Sequence, residues 1–334
     1  MTVLVTGATG FIGGRLAERL LEAGEGVRLL VRRPDAAARL KAAGAELVEG
    51  SLENTASLAA AVEGVSVVYH CAGLATDWAP WTQFEQVNIS GARSLAEAAS
   101  RVKGLQRFVH LSTTDVYGYP LVPCAEDGEV RDVGLPYNRS KLRGEAAVLE
   151  VARTTGLRVT VVRPATVYGP RCKDWAVEMA RLLAGKDMMH VAGGRTGAGL
   201  IYVDNLIDAL FTAVKTEAAV GRTYNLRDAG TQSWRDYLDA LADGLTLPRV
   251  GMSLPHWFAM GLGAASEGLW KLVGARSRPL ITRHAVQVIG RDQNYRIERA
   301  VQELGFTSKV PFAEGLARTL AWIQSPEGQA AVKG

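Results

Sequence analysis

The sequence is poor in the residues that build disulfide frameworks and metal sites. Its 3 cysteines, Cys71, Cys124 and Cys172, form no Cys-x-x-Cys pair and cannot all be bridged. Its 5 histidines show no spacing typical of metal ligands, and structural or incidental roles are expected for them. These absences exclude a disulfide-stapled fold, predict no metal site and favour the reducing cytoplasm.

Long apolar runs and clusters of like charge are also missing. A membrane span needs about 18 apolar residues, and the closest approach, at 250–265, is interrupted by Ser253, Pro255 and His256. The 38 Lys and Arg residues outnumber the 34 Asp and Glu residues but are scattered along the chain. We therefore expect no transmembrane segment and no nucleic-acid interface.

The segment at residues 252–273 is heavily apolar, and most of it is expected to form the core of a C-terminal lobe. Lys271, Arg276, Arg278 and Arg283 lie within it or close by. This combination leaves open a peripheral contact with a membrane surface, which would suit a lipid-like substrate.

Glycine is abundant, and its most informative cluster lies at the start of the chain. Gly7, Gly10 and Gly13 follow a short β-branched run and precede a helical apolar pattern. Such glycines permit a tight turn, a close approach of the backbone to a pyrophosphate, and close packing of helix on strand. The following helix N-terminus attracts phosphate. The residues expected to contact a dinucleotide here are Gly7, Thr9, Gly10, Phe11, Ile12 and Gly13.

Short apolar strands alternate with helical patterns along the first half of the chain. This alternation predicts an α/β fold with a Rossmann-type, doubly wound parallel sheet. Residues 1–170 would form the dinucleotide-binding domain. Residues 171–334 would form a smaller, mostly helical substrate-binding lobe, with one or more segments returning to the main sheet.

Tyr137 and Lys141 lie four residues apart, on one face of a predicted helix. A neighbouring ammonium group stabilises a phenolate and so lowers the pKa of a tyrosine toward the working range. The preceding strand ends in the hydroxyls of Ser112 and Thr113, which can bind a substrate oxygen as charge develops on it. A hydroxyl, a phenol and an ammonium beside a dinucleotide site indicate hydride transfer.

Six stretches together resemble the extended short-chain dehydrogenase/reductase family over nearly the whole chain. They are residues 6–13, 70–73, 87–91, 137–141, 163–170 and 202–205. The resemblance implies a catalytic role for Thr113, Tyr137 and Lys141, with Ser112 as a supporting hydroxyl at the substrate. It implies that Asn88 holds the backbone of the site. It also implies a homodimer formed through helices 84–102 and 135–155.

The resemblance extends to the cofactor site. It implies further contacts from Leu52, Ala72, Gly73, Pro164 and Val167. An acid that would accept the ribose 2′-OH of NAD is absent at the end of the second strand, where Arg32 stands. A guanidinium suits a 2′-phosphate. Ser51 replaces another acid of the family pattern. We therefore expect NADP(H), with NAD(H) as the alternative.

Two departures from the family's sugar-nucleotide enzymes point to a different substrate. Thr114 and Asp115 stand where sugar dehydratases carry Asp and Glu, and residues 198–200 lack the arginine that grips a diphosphate. Residues 202–205 resemble the 3β-hydroxysteroid dehydrogenase branch instead. The expected pocket aromatics are Trp78, Trp81 and Trp175.

These features predict an NAD(P)H-dependent reductase of a bulky hydrophobic, steroid-like, polyketide-like or lipid-like ketone. A nucleotide-sugar epimerase and a non-catalytic dinucleotide sensor remain as alternatives. The acids Glu126 and Asp127, in the 119–135 loop, are expected to face solvent.

Overall fold

A seven-stranded parallel sheet forms the centre of the protein. The computed structural model describes residues 1–275 and 277–333, so Arg276 and Gly334 lie outside the described residues. The strands are β1 (Thr2–Thr6), β2 (Gly26–Val31), β3 (Glu46–Glu49), β4 (Val67–His70), β5 (Arg107–Leu111), β6 (Val159–Pro164), β7 (Thr166–Tyr168), β8 (His190–Val191), β9 (Leu200–Tyr202), β10 (Thr223–Leu226) and β11 (Ser253–Leu254). The main sheet has the order β10-β6-β5-β4-β1-β2-β3. The order reverses between β1 and β4, which is where such sheets bind ligands.

The helices of the described residues cover both faces of this sheet or lie beyond it. They are α1 (Phe11–Glu22), α2 (Ala38–Ala42), α3 (Thr55–Val62), α4 (Trp81–Phe84), α5 (Ala92–Ser100), α6 (Pro136–Thr155), α7 (Met179–Gly185), α8 (Val203–Lys215), α9 (Trp234–Gly244), α10 (His256–Leu272), α11 (Arg283–Gly290), α12 (Glu298–Leu304), α13 (Phe312–Gln324) and α14 (Pro326–Lys333). A π-helical turn, Glu85–Gly91, joins α4 to α5. None of the helices in the described ranges is long and apolar enough to cross a membrane.

The side chains of β1 show how the two faces acquire separate cores. Val3 and Val5 join the cluster that contains α1 and α8, whereas Leu4 joins the cluster with α3, α5 and α6. Successive side chains of a strand point to opposite faces, so a strand covered on both sides is apolar throughout. The predicted α/β, doubly wound Rossmann-type sheet is confirmed.

Beyond residue 170 the chain is mostly helical, but it also contains short strands: β8 pairs with β11, and β9 pairs with β7, which precedes residue 170. Strand β10 lies in this part of the sequence and joins the main sheet beside β6. A division between two domains at residue 170 stays a prediction.

The expectation that Glu126 faces solvent is wrong. Its side chain is buried, and its Oε1 accepts a hydrogen bond from the backbone N–H of Asn225 in β10 at 3.0 Å. Asp127, the next residue, is exposed. One of the two acids is therefore buried against the edge strand of the sheet.

A buried ion pair fastens α6 to the sheet. Glu145 accepts hydrogen bonds from the Nε and Nη2 groups of Arg163 in β6, the first at 3.0 Å. The Nη1 group of Arg163 donates to Tyr117 at 2.7 Å, and Tyr117 donates to Asn225 at 2.8 Å. This network joins α6, β6 and β10 and leaves the buried guanidinium fully partnered.

Removing the carboxylate should strongly destabilise the protein. In Glu145→Ala, the buried Arg163 keeps its charge without its partner, which costs about 3–5 kcal/mol. Urea denaturation measures this loss. The control is Glu150→Ala on the same helix, because the exposed Glu150–Arg153 pair is solvated and should give no measurable change. Equal stability of the two variants would contradict the role of the buried pair.

Candidate active site

A cleft of about 590 Å³ opens at the carboxyl ends of β1, β2, β4, β5 and β6. Most residues expected from the sequence line it. They are Gly7, Thr9, Gly10, Phe11, Ile12, Gly13, Arg32, Ser51, Leu52, Ala72, Gly73, Ser112, Thr113, Tyr137, Lys141, Pro164, Val167 and Trp175. The fold thus brings together groups separated by more than 160 positions in the chain.

The glycine turn between β1 and α1 is shaped for close backbone approach. Gly7 has a φ of +75°, and a Cβ on it would lie 2.7 Å from the backbone nitrogen of Ala72. A Cβ on Gly13 would lie 2.4 Å from the carbonyl oxygen of Gly7. At the N-cap of α1, Gly10 provides no capping side chain, so the first-turn N–H groups are left for a ligand. This geometry fits a dinucleotide pyrophosphate.

Arg32, Ser51 and Leu52 line the opposite end of the cleft, after β2 and β3. The guanidinium of Arg32 is exposed and has no ion-pair partner among the described residues. Glu53, which the motifs did not single out, also lines this end. A cation and an acid therefore both border the region where the sheet order places an adenosine ribose.

Tyr137 and Lys141 lie at the start of α6, which Pro136 begins and Gly156 ends. The Nζ group of Lys141 donates to the carbonyl oxygen of Leu111 at 2.7 Å, which fixes the ammonium at the end of β5. Burial lowers the pKa of Lys141 to about 8.

The environment of Tyr137 differs from the simple expectation that a lysine lowers its pKa. Burial raises the pKa of Tyr137, the nearby carboxylates of Asp115 and Asp174 raise it further, and the Thr113 hydroxyl opposes them. In the absence of ligand, Tyr137 is therefore a protonated phenol at neutral pH. This is the form that gives a proton.

Asn88 lies behind the cleft, in the π-helical turn Glu85–Gly91. Its Oδ1 accepts from the backbone N–H of Leu74 at 2.7 Å, and its Nδ2 donates to Leu74 O at 3.3 Å and to Ser140 Oγ at 2.9 Å. These bonds hold the loop after β4 against α6. Asn88 thus positions the cleft wall rather than lining it.

Two of the three tryptophans are not where the sequence led us to expect them. Among the described residues, Trp175 lines the cleft but Trp78 and Trp81 do not. Trp81 begins α4, and its ring lies under Arg139 and Arg143 of α6, at 5.7 and 5.6 Å from their guanidinium carbons. Trp78 lies 6.0 Å from the Nζ group of Lys271. A helix that begins at Trp81 carries this loop away from the cleft.

His284 is the principal site residue that sequence reasoning missed. It comes from α11, and its Nε2 lies 2.8 Å from Asp115 Oδ2, while its Nδ1 lies 3.5 Å from Asp77 Oδ2. Its ring packs edge-on against Tyr137, with 5.4 Å between ring centres. The acids were visible in the sequence as polar residues after β4 and β5. Their histidine partner is 169 positions from Asp115 and had no local signal.

The wall of the cleft beside Tyr137 is accordingly more charged than the apolar pocket that the sequence predicts. Arg278 donates to Asp77 at 2.6 Å, and Tyr119 donates to Asp115 at 2.9 Å. Burial opposes ionisation of Asp77, but hydrogen bonds from His284 and Arg278 outweigh it and lower its pKa. Burial likewise acts to lower the pKa of His284, and its bonds to Asp115 and Asp77 raise it to about 9. His284 is therefore an imidazolium at neutral pH.

Comparison with known proteins establishes the family of the chain. Residues 3–226 match the NAD dependent epimerase/dehydratase family. The chain belongs to this family. It is an extended short-chain dehydrogenase/reductase, an oxidoreductase superfamily whose cofactor is a nicotinamide dinucleotide.

Two curated relatives align along nearly their whole length. A 4-hydroxy-2-methyl-3-oxo-4-farnesyl-3,4-dihydroquinoline-1-oxide ketoreductase of Stigmatella aurantiaca is 28% identical, over 95% of each chain. A 2-alkyl-3-oxoalkanoate reductase of Stenotrophomonas maltophilia is also 28% identical, over 96% of this chain and 99% of the relative. The solved UDP-glucuronic acid 4-epimerase of Bacillus cereus, in complex with UDP-glucuronic acid and NAD, has a TM-score of 0.77 at 22% identity. It covers 97% of this chain and 99% of its own, and it shares the fold.

The imidazolium of His284 makes a pH-dependent contribution to stability. Its pKa is about 6.5 when unfolded and about 9 when folded, so its ion pairs with Asp77 and Asp115 stabilise fully below pH 6.5 and are lost as pH rises through 9. The stability advantage of wild type over His284→Gln should shrink across this window, as measured by urea denaturation at each pH.

His256→Gln is the matched control, because burial lowers the pKa of His256 and no such decline is expected above pH 6.5. A wild-type advantage over His284→Gln that stays constant between pH 6.5 and 9 would contradict the ion-paired imidazolium.

Proposed function

We propose that this protein is an NADP(H)-dependent reductase of a bulky hydrophobic ketone. The observation that carries the proposal is Tyr137, a partly buried, protonated phenol that shares one cleft with Thr113, Lys141 and the glycine turn. The names of the two curated relatives, both ketone reductases, support the same reaction class.

Residues of the chain account for binding of the substrate oxygen and for proton transfer to it. The bound dinucleotide supplies the hydride, and Gly7, Gly10, Gly13 and Lys141 would hold it. The hydroxyl of Ser112 is buried in the cleft and has no hydrogen-bond partner among the described residues, so it is available to a substrate oxygen. Thr113 would bind the same oxygen, and Tyr137 would donate the proton as charge develops there.

The segment at residues 198–199 favours a ketone over a sugar nucleotide. Ala198 and Gly199 stand where a diphosphate-binding arginine and its neighbour would be expected. Ala198 is fully buried, and a Cβ on Gly199 would lie 2.2 Å from the carbonyl oxygen of Gln293. Packing at these positions leaves no room for a long side chain, which weakens the epimerase alternative. The complete set of Thr113, Tyr137 and Lys141 weakens the non-catalytic alternative.

The preference for NADP(H) rests on Arg32. Its exposed guanidinium lines the adenosine end of the cleft and has no acid as an ion-pair partner in the described part of the chain. A planar guanidinium can form two charge-assisted hydrogen bonds to a 2′-phosphate. Glu53, on the same side, would repel a 2′-phosphate. Substitution of Arg32 therefore measures how far its guanidinium favours NADPH over NADH.

Tyr137→Phe should abolish most turnover while NADPH binding stays within a few-fold of wild type. Loss of a positioned general acid costs about 10²- to 10⁴-fold in kcat. The assay follows NADPH oxidation with 2-alkyl-3-oxo acids and prenylated cyclic ketones, and cofactor binding is followed by NADPH fluorescence. Tyr295→Phe is the matched control, since its buried hydroxyl has no partner among the described residues. Wild-type turnover in Tyr137→Phe would overturn the assignment.

Arg32→Ala should raise the Kd for NADPH by about tenfold to a hundredfold, because charge-assisted bonds are worth about 1.5–3 kcal/mol. The Kd for NADH should change little. Arg33→Ala serves as the control, since Arg33 is exposed but does not line the cleft. An equal effect of Arg32→Ala on both cofactors would refute the 2′-phosphate contact.

A further inference from the structure

Helix α10 turns its one acidic residue inward and apolar residues outward, unlike an ordinary surface helix. Its buried positions are Ala259, Gly263 and Glu267. Glu267 is 8% exposed, and its carboxylate accepts hydrogen bonds from Arg283, including one of 2.7 Å from Nη2. The one acid of the helix is therefore turned inward and neutralised.

The outward positions of the same helix are all apolar from residue 257 to residue 269. They recur as neighbouring pairs every three or four residues: Trp257 and Phe258, Gly261 and Leu262, Ala264 and Ala265, Gly268 and Leu269. Trp257 is 75% exposed and Leu272, at the end of the helix, is 84% exposed. A soluble surface helix normally turns its charged face to water, and an apolar stripe this continuous marks an interaction surface.

The cation beside this face is Lys271. Of the other described cations at 249–283, Arg249, Arg278 and Arg283 are paired with Asp243, Asp77 and Glu267. Lys271 is exposed at the end of the stripe and has no ion-pair partner among the residues described. A second copy docked face to face about a two-fold axis would offer Lys271 no acid from the exposed positions of α10. An anionic lipid surface is complementary to this cation.

The face also borders the cleft. Lys271 lies over Trp78, in the loop whose residues 74–77 line the cleft, and Gly263 packs against the start of α11. A flat surface that contacts α10 therefore lies next to the cleft wall.

We propose that α10 docks the protein on an anionic membrane surface, with Trp257, Phe258, Leu262, Leu269 and Leu272 entering the interface and Lys271 meeting the headgroups. The helix lies in the interfacial plane and does not cross the bilayer, in keeping with its 17 residues. Docking goes beyond the proposed reductase activity and does not depend on it.

Vesicle co-sedimentation tests the proposal without any enzymatic assay. The full-length protein is mixed with vesicles of phosphatidylcholine alone or of phosphatidylcholine with phosphatidylglycerol, at low and high salt. We expect binding to the anionic vesicles that weakens with salt. Trp257→Ser/Phe258→Ser should reduce the partition coefficient by about tenfold or more, and Lys271→Glu should act mainly at low salt. Leu121→Ser/Val122→Ser, which changes exposed apolar residues in another loop, should bind as wild type does.

Two outcomes would overturn docking to lipid. One is that the wild-type protein binds neither the phosphatidylcholine vesicles nor the anionic vesicles. The other is a wild-type dimer, seen by size-exclusion chromatography with light scattering, that Trp257→Ser/Phe258→Ser converts to a monomer, since a second copy would then cover the face. Circular dichroism of each variant shows that it is folded. Because NADPH fluorescence reports the cofactor site separately, loss of vesicle binding is distinguishable from failure of the reductase proposal.

Discussion

The packing of α6 against β5 and β6 is the interaction on which the rest of the structure depends. One face of this helix carries the partly buried Tyr137 and the buried Lys141 and Glu145. Glu145 holds Arg163 of β6, and Lys141 holds the last carbonyl of β5. A Cβ on Gly144 would lie 2.0 Å from the carbonyl oxygen of Asn88, so the neighbouring π-helical turn approaches α6 as closely as its backbone allows. The helix therefore reaches a depth at which its first turn enters the cleft.

The burial of this first turn also shifts the protonation equilibria of Tyr137 and Lys141. Burial lowers the pKa of Lys141 and raises the pKa of Tyr137, so both groups are shifted toward their neutral forms before any ligand binds. The ion pairs of His284 and Arg278 concentrate charge on the wall beside Tyr137. A carbonyl oxygen in this cleft would meet a neutral phenol and the free hydroxyl of Ser112, which are hydrogen-bond donors suited to reduction.

The sequence predicted those parts of the site that local patterns specify. The turn at Gly7, Gly10 and Gly13 was predictable because the glycine spacing, the strand before it and the helix after it are all visible within one short stretch of sequence. Tyr137 and Lys141 are one helical turn apart, so their shared face follows from helix geometry. Glu126, Trp81 and His284 were misjudged for the opposite reason. Each is placed by a partner far along the chain: Asn225 for Glu126, Arg139 and Arg143 for Trp81, and Asp115 for His284. No periodicity within a segment carries that information.

The long-range placement of His284 depends on the packing of α10 against α11. A Cβ on Gly263 of α10 would lie 2.9 Å from the backbone nitrogen of Arg283, and Arg283 also binds Glu267 of α10. The two helices are therefore locked together at the residue that precedes His284. Because α10 presents the apolar outer face and α11 delivers His284 to Asp77 and Asp115, the apolar face and the charged wall beside Tyr137 belong to one packed pair of helices.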